Sequence, residues 1–364
     1  MQVVVVGAGV VGYAIAYELA SRGAQVCVVD PRGSGQGATR ASAGILAPYI
    51  EGHSSTLLRL GVCSLEQYDG FVARVSRDAG RPVEYGRTGT LQVAVDDAEV
   101  DDLNEQRRAL VTAGVSHSFI DADEARRLEP NLSADVRAGL MMSQHGYVHA
   151  ASLVSALVHG AARHGARLSV AHVKGVDADR GSLKVATTDE QIVADAVVMA
   201  AGSWSGAIPT GSAPAPPVRP VRGQLLQLRR AQPTISTVVW GRACYLVPWR
   251  DGSVLVGATV EDAGFDENVT VDGVRHLLQS SERIVPALRS AIFIEARAGL
   301  RPAASDELPI IGASTAVPGL YYATAHYRNG VLLAPLTAML IADLLINDHQ
   351  RPELELVRPD RFGL

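Results

Sequence analysis

The first thirty residues constrain this chain more than any other stretch. Val3-Val4-Val5-Val6 is an apolar run, Gly7-Ala8-Gly9-Val10-Val11-Gly12 follows it, a helical stretch comes next, and Val26-Cys27-Val28-Val29 ends on Asp30. The order predicts a strand, a glycine-rich turn, a helix and a second strand closing on a carboxylate. Gly7 permits the tight turn, Gly9 leaves room for a pyrophosphate against the backbone, and Gly12 lets helix and strand pack closely. The helix N-terminus then offers free N–H groups and the positive end of its dipole to phosphates. Asp30 follows Gly12 by 18 residues, where a ribose-binding acid belongs. A chance glycine pattern in a small-residue turn competes with this reading, but strand, helix and acid all agree on a dinucleotide site. The motif alone does not separate NAD from FAD.

With 364 residues the chain is long enough for a large core and two domains. A net charge of −5 argues against a nucleic-acid surface, and the arginines are scattered rather than clustered. Cys27, Cys63 and Cys244 are widely spaced, so neither a disulfide framework nor a zinc cluster is indicated, and a cytoplasmic setting is expected. No metal site is expected either. The apolar N-terminus lacks the basic n-region of a signal peptide. The apolar run from Gly330 to Ile346 is short for a bilayer and carries Pro335 and Asp343, which predicts a buried helix and no stable membrane insertion. A homo-oligomer is expected.

Downstream of Asp30, the small-residue loop from Gly33 through Thr39, Arg40, Ser42, Ala43 and Gly44 is suited to lie against a flat cofactor. Helical spacing covers residues 57–78, 99–113, 121–128 and 151–164, and alternation at 90–95 reads as a strand. Residues 194–199 read as a buried strand running into Ala201-Gly202. Ala213-Pro214-Ala215-Pro216-Pro217 marks a boundary, after which 223–228, 245–248 and 253–258 read as strands and 271–284 as a helix.

Three later segments carry the chemistry: Ala200-Ala201-Gly202-Ser203-Trp204, the run from Ala298 through Arg301 to Gly312, and His326-Tyr327-Arg328-Asn329-Gly330 leading to Pro335. Together with the N-terminal fingerprint they resemble the D-amino acid oxidase family of FAD enzymes, and within it the bacterial glycine-oxidase branch associated with thiamine biosynthesis. The likeness spans nearly the whole chain. It implies an α/β fold: an FAD-binding Rossmann-type domain, glutathione-reductase-like, with an inserted α+β substrate domain built on an antiparallel sheet. The FAD-binding part would comprise residues 1–80, 145–215 and 300–364, and the substrate part 81–144 and 216–299. The resemblance also implies non-covalent FAD held by Gly7, Gly9, Val10, Val11, Gly12, Asp30, Thr39, Arg40, Ser42, Ala43, Gly44, Val173, Ala201, Gly202 and Trp204, and by Arg301, Arg328, Asn329, Gly330, Val331 and Leu332. No cysteine follows Cys244 to serve as a covalent flavin anchor.

Arg301 matches the family's carboxylate-binding arginine, and a planar guanidinium binds a carboxylate through two parallel hydrogen bonds. Read from residues alone, an ion pair with Asp306 or Glu307 competes with that role. Tyr245 matches the carboxylate-binding tyrosine, with a strand aromatic as its alternative. Asn329-Gly330 is expected to open the last helix, whose positive end would stabilise a reduced flavin. Val260 is expected to shape the pocket, Arg328 to neutralise the site or sit at the surface, and Arg242 to meet a second carboxylate or solvent. Ala243 departs from the bulkier polar residue of related glycine oxidases, which bears on pocket size. The implied activity is oxidation of glycine, sarcosine, D-alanine or D-proline by hydride transfer to flavin N5, with O2 returning H2O2. An iminodiacetate-type oxidase, a dehydrogenase serving a quinone or carrier, and a binding protein without turnover compete with it.

Overall fold

The structure, a computed structural model, describes residues 1–50, 54–179 and 181–364. The N-terminal strand Gln2–Val6 is flanked by Gln25–Val29 and Ala196–Met199, both parallel to it. Val3 to Val6 are all buried, as expected of a strand covered on both faces. The sheet has six strands, with Arg167–Ser169 at one edge and Leu320–Thr324 then Ile310–Ala313 at the other; only the last pair is antiparallel.

Helix Val10–Ser21 buries all its residues except Val11 and Ser21, and so has no wet face. It packs between the sheet and helices Ser55–Ala79, Ala150–Arg163 and Ala334–Asn347, where Tyr17, Leu153, Leu157 and Leu340 are almost fully enclosed. Each such aliphatic side chain contributes roughly 1.5–3 kcal/mol by leaving water. Burial around this helix includes charge. Glu18 receives Arg22 at 2.7 Å and Arg74 at 2.6 Å, while Arg22 also reaches Asp343 at 2.5 Å, which Arg351 clamps from the other side at 2.5 Å.

The second sheet has eight strands in the order Ile292–Ala303, Arg219–Arg229, Ser253–Gly257, Tyr245–Pro248, Val238–Trp240, Thr90–Ala94, Ala138–Met142 and Ser118–Asp121. It is antiparallel except where Val238–Trp240 runs parallel to Thr90–Ala94. Helix Val271–Ile284 covers one face, and Leu225, Val247 and Leu255 on the other pack with Ala41, Ala43, Ile45 and Tyr147. The chain passes from the first sheet to the second through the irregular proline-rich segment after Ala213. A separate meander, Val173–Asp179, Ser182–Thr187 and Gln191–Ala194, packs behind the first sheet.

One boundary differs from expectation. The last helix begins at Ala334, not at Asn329-Gly330, and Leu333 is its N-cap. Pro335 has no N–H to give Val331 and its ring would strike that carbonyl, so the helix cannot extend back through residue 331. The freed carbonyls of Val331 and Leu332 instead accept the hydroxyls of Tyr68 and Ser64, each at 2.6 Å. Among the described residues no helix is long and apolar enough to cross a membrane.

Burial raises the pKa of Asp343, but its bonds from Arg22 and Arg351 outweigh this and hold it below the ordinary 3.8. A depressed carboxylate stabilises the fold fully above that ordinary value and progressively less as pH falls below it. Asp343→Asn should therefore lose about 1.5–3 kcal/mol at neutral pH in urea unfolding, the worth of hydrogen bonds to a charged group. The difference from the parent should shrink below about pH 4.

Candidate functional site

A cavity of about 580 Å³ runs from the N-terminal glycine loop to the inner face of the eight-stranded sheet, within the usual range for ligand pockets. The glycines at its first end act through contact. A Cβ at Gly7, where φ is +111°, would lie 2.3 Å from the Ala200 carbonyl, and one at Gly12 would lie 2.0 Å from the Gly7 carbonyl. Thr39 Oγ1 accepts the Val10 N–H at 3.0 Å and closes part of the first turn. The N–H groups of Val11 and Gly12 take no acceptor among the described residues and remain available to an anion. Asp30 Oδ2 accepts the Ala8 N–H at 2.9 Å and Oδ1 the Arg32 N–H at 2.7 Å, so this carboxylate braces the loop.

The loop 37–44 forms one wall. Gly44 is at φ +69°, and a Cβ there would strike the Val148 carbonyl at 1.8 Å. Ala41 and Ala38 sit on Gly299 of the second sheet, where a Cβ would meet them at 2.7 and 3.2 Å. Val173, Ala201, Gly202 and Trp204 line the same end, and the Arg32 guanidinium stacks 4.2 Å from the Trp204 ring.

At the other end two side chains lean over glycines. Arg301 lies across Gly223, whose absent Cβ would be 2.3 Å from its guanidinium; Tyr245 lies across Gly257, where a Cβ would be 2.5 Å from the phenol. Gly223 and Gly257 belong to adjacent paired strands, so the two side chains approach the cavity over a shared floor. Arg301 Nη1 donates to the Thr259 carbonyl at 3.0 Å. No carboxylate among the described residues pairs with it. Asp306, a competitor for that partnership on sequence, instead accepts Arg361 at 2.8 Å. Glu261, two residues beyond Thr259, is occupied by Arg222 at 2.5 Å and Gln224 at 2.7 Å. Burial acts against its ionisation, yet the hydrogen bonds from Thr259, Arg222 and Gln224 keep its pKa below the ordinary value.

Val260 lines the mouth at 53% exposure. Arg328 lines it too, its guanidinium 5.4 Å from the Tyr327 ring. Asn329, Gly330, Val331 and Leu332 form the adjoining wall as a turn, with the Leu333 N–H donating to the Asn329 carbonyl at 2.8 Å. This wall is bolted to Arg301's strand by the Tyr327 N–H, 2.7 Å from the Pro302 carbonyl. Ala325 and Tyr327, at φ of +59° and +48°, sit in a costly region either side of buried His326. Burial lowers the His326 pKa to about 4, which leaves the ring neutral beside Thr337 Oγ1 at 3.0 Å.

Two residues singled out on sequence lie elsewhere. Arg242 is exposed, 3.5 Å from Asp102, because the Trp240–Tyr245 hairpin turns it outward with Ala243. Arg40 is exposed and faces a neighbouring cavity. The lining also includes residues to which the sequence reading gave no role: Arg32, Gln36, Ala258, His326 and above all Trp240, whose ring lies 5.1 Å from that of Tyr245. Trp240 pairs in register with Tyr245 across the hairpin, and two aromatics five residues apart around Gly241 were the available signal.

A mainly parallel sheet bearing a glycine-rich strand-to-helix turn, with a cavity leading to an antiparallel sheet, defines a dinucleotide-binding protein. The family described as DAO, FAD dependent oxidoreductase, matches residues 2–344. Glycine oxidase of Geobacillus kaustophilus is 33% identical over 347 residues, 94% of this chain and 92% of that protein. Its crystal structure matches with a TM-score of 0.90, covering 96% of each chain. The crystal structure of iminodiacetate oxidase from Chelativorans sp. BNC1 is 28% identical, with a TM-score of 0.89 and 98% of each chain covered. The chain belongs to the DAO family of FAD-dependent oxidoreductases. The open N–H groups of Val11 and Gly12 and the small-residue wall of loop 37–44 suit the pyrophosphate and the flat ring of FAD.

Asp30→Ala removes both braces of the loop, and each hydrogen bond to a charged acceptor is worth about 1.5–3 kcal/mol. The purified variant should release FAD roughly ten- to a hundredfold more readily in equilibrium dialysis.

Proposed function

We propose that this enzyme oxidises small amino acids bearing a free carboxylate, glycine-like or of D configuration, with Arg301 as the carboxylate anchor and Tyr245 as a second donor. The observation that carries this reading is the Arg301 guanidinium, which faces the cavity with no carboxylate partner among the described residues. FAD, held by the Val10–Gly12 turn and the 37–44 loop, would supply the electron chemistry, a hydride acceptor for the α-carbon whose electron pair would end on O2 as H2O2, and the imine product would hydrolyse to a 2-oxo acid and ammonia.

The protein's own contribution is orientation. Arg301 fixes the carboxylate bidentately, Tyr245 restrains its rotation, and Trp240 and Val260 bound the space left for the amine substituents. One clamped orientation presents one face of the α-carbon, which selects handedness. Residues 81–144 and 216–299 hold most of the second sheet and of this substrate end, with the strand Ile292–Ala303 running past that bound to carry Arg301, while residues 1–80, 145–215 and 300–364 supply most of the FAD end. Arg242 is too exposed to meet a second carboxylate, so a dicarboxylic imino acid would rely on Arg328 instead.

Arg301→Lys keeps the charge and loses the fork, and truncating a buried charged partner costs about 2–5 kcal/mol. Steady-state peroxide release with glycine, sarcosine and D-alanine should fall about 30-fold to several thousand-fold in kcat/KM. Tyr245→Phe should cost about 0.5–1.5 kcal/mol, and both variants should retain FAD. Parental kinetics in Arg301→Lys would remove the anchor from the account. Oxygen consumption distinguishes an oxidase from an enzyme that serves a quinone or carrier.

Gly223→Ala gives a sharper test. Its methyl group would collide with the guanidinium, a flexible end that can swing away, so the fold and flavin should survive while kcat/KM drops at least tenfold.

A further inference from the structure

Between Ser253–Gly257 and helix Val271–Ile284 the chain runs as a strap with no helix or strand of its own. The strap is rooted on the substrate sheet. Arg222 and Glu261 exchange backbone hydrogen bonds at 2.9 and 3.0 Å, the Arg222 guanidinium reaches Asp266 at 2.6 Å, and the Thr270 N–H reaches Gln224 Oε1 at 2.8 Å. All three ties end on the strand Arg219–Arg229. Between the first and last of them the strap crosses to the cofactor half of the molecule. There Glu267 accepts Arg32 Nη1 at 2.9 Å, and the Phe265 ring lies 5.8 Å from that of Trp204.

Arg32 and Trp204 line the cofactor cavity, and Phe265 and Glu267 contact them without lining it. Phe265 is 53% exposed, so no core accounts for its place on Trp204. Arg32 is seated by shape as well as by charge. A Cβ at Gly37, where φ is +69°, would lie 2.6 Å from Arg32 Nη2, so the guanidinium takes up the space of the missing side chain. The Trp204 ring, centred 4.2 Å away, and the Glu267 carboxylate hold it further. An arginine left free in a cavity wall loses rotamer entropy when the ligand arrives, and one held beforehand does not.

We propose that Glu267 and Phe265 are positioning residues for FAD: through Arg32 and Trp204 they hold the cavity wall in its binding shape, and the substrate sheet thereby slows release of the cofactor. The sign of the effect separates this role from simple charge. A carboxylate acting through space repels the pyrophosphate, so neutralising Glu267 would slow release. Acting through Arg32, the same change speeds it.

The test is release of FAD from the purified holoenzyme on dilution, followed by the rise in flavin fluorescence. No amino acid is present, so the outcome is independent of the role of Arg301. At low salt Glu267→Gln should release FAD about two- to fivefold faster, the fold-change of a partly exposed ion pair. Phe265→Ala should release it about two- to tenfold faster, that of an aromatic pair. The Glu267→Gln difference should fade as salt screens the pair and vanish in an Arg32→Met background, with circular dichroism confirming each variant's fold. Slower or parental release from Glu267→Gln at low salt overturns the proposal, as does parental release from Phe265→Ala or an undiminished Glu267→Gln effect in Arg32→Met.

Discussion

Close approach of backbone to side chain, where the two sheets meet, is the constraint on which the rest of the structure depends. Gly299, Gly223 and Gly257 lie on three adjacent strands of the antiparallel sheet, and each fills the place of its missing Cβ with something needed at the cavity: loop 37–41, the Arg301 guanidinium and the Tyr245 phenol. A methyl group at any of these positions would displace its occupant. The parallel sheet is built the same way, since Gly7 and Gly12 allow contacts of about 2 Å to a notional Cβ that no other residue could tolerate. The cavity is therefore shaped by absent side chains as much as by present ones.

Charge is distributed with equal economy. Arg222, 7% exposed, is compensated by both Glu261 and Asp266, and Arg22 by Glu18 and Asp343, as burial of an isolated charge would require. Arg301 departs from that pattern, for it is half-buried, donates to a carbonyl and pairs with no described carboxylate. The Arg222 network consumes the nearest acid, Glu261, and holds the Thr259 segment against which Arg301 rests. On the proposed reading, that network keeps the anchor available to substrate.

Much of this was legible in the sequence. The run from Val3 to Asp30 declares its strands and helix because apolar period, glycine spacing and terminal acid agree, and the helix over 271–284 emerges with its bounds intact. The last helix opens later than Asn329-Gly330 because Pro335 bars the helical hydrogen bond to Val331, four residues before it. The glycine seats could not be read at all. Gly223 and Gly257 are neighbours only through strand register, which local pattern does not specify. Long-range pairing likewise hid Ile292–Ala303 and the 173–194 meander. Arg242 differs from Arg301 only in lying on a hairpin turn that faces outward, a distinction of geometry rather than composition.

The central claim is that the Arg301 guanidinium, which no carboxylate among the described residues pairs, recognises the substrate carboxylate. Titrating the FAD-loaded enzyme with glycolate and with its uncharged amide, glycolamide, while following the flavin absorption spectrum, tests that claim most directly. A saturable shift with glycolate, little or none with glycolamide, and loss of the glycolate response in Arg301→Lys is the predicted result. Equal affinity for acid and amide, or a glycolate response untouched by Arg301→Lys, would contradict it.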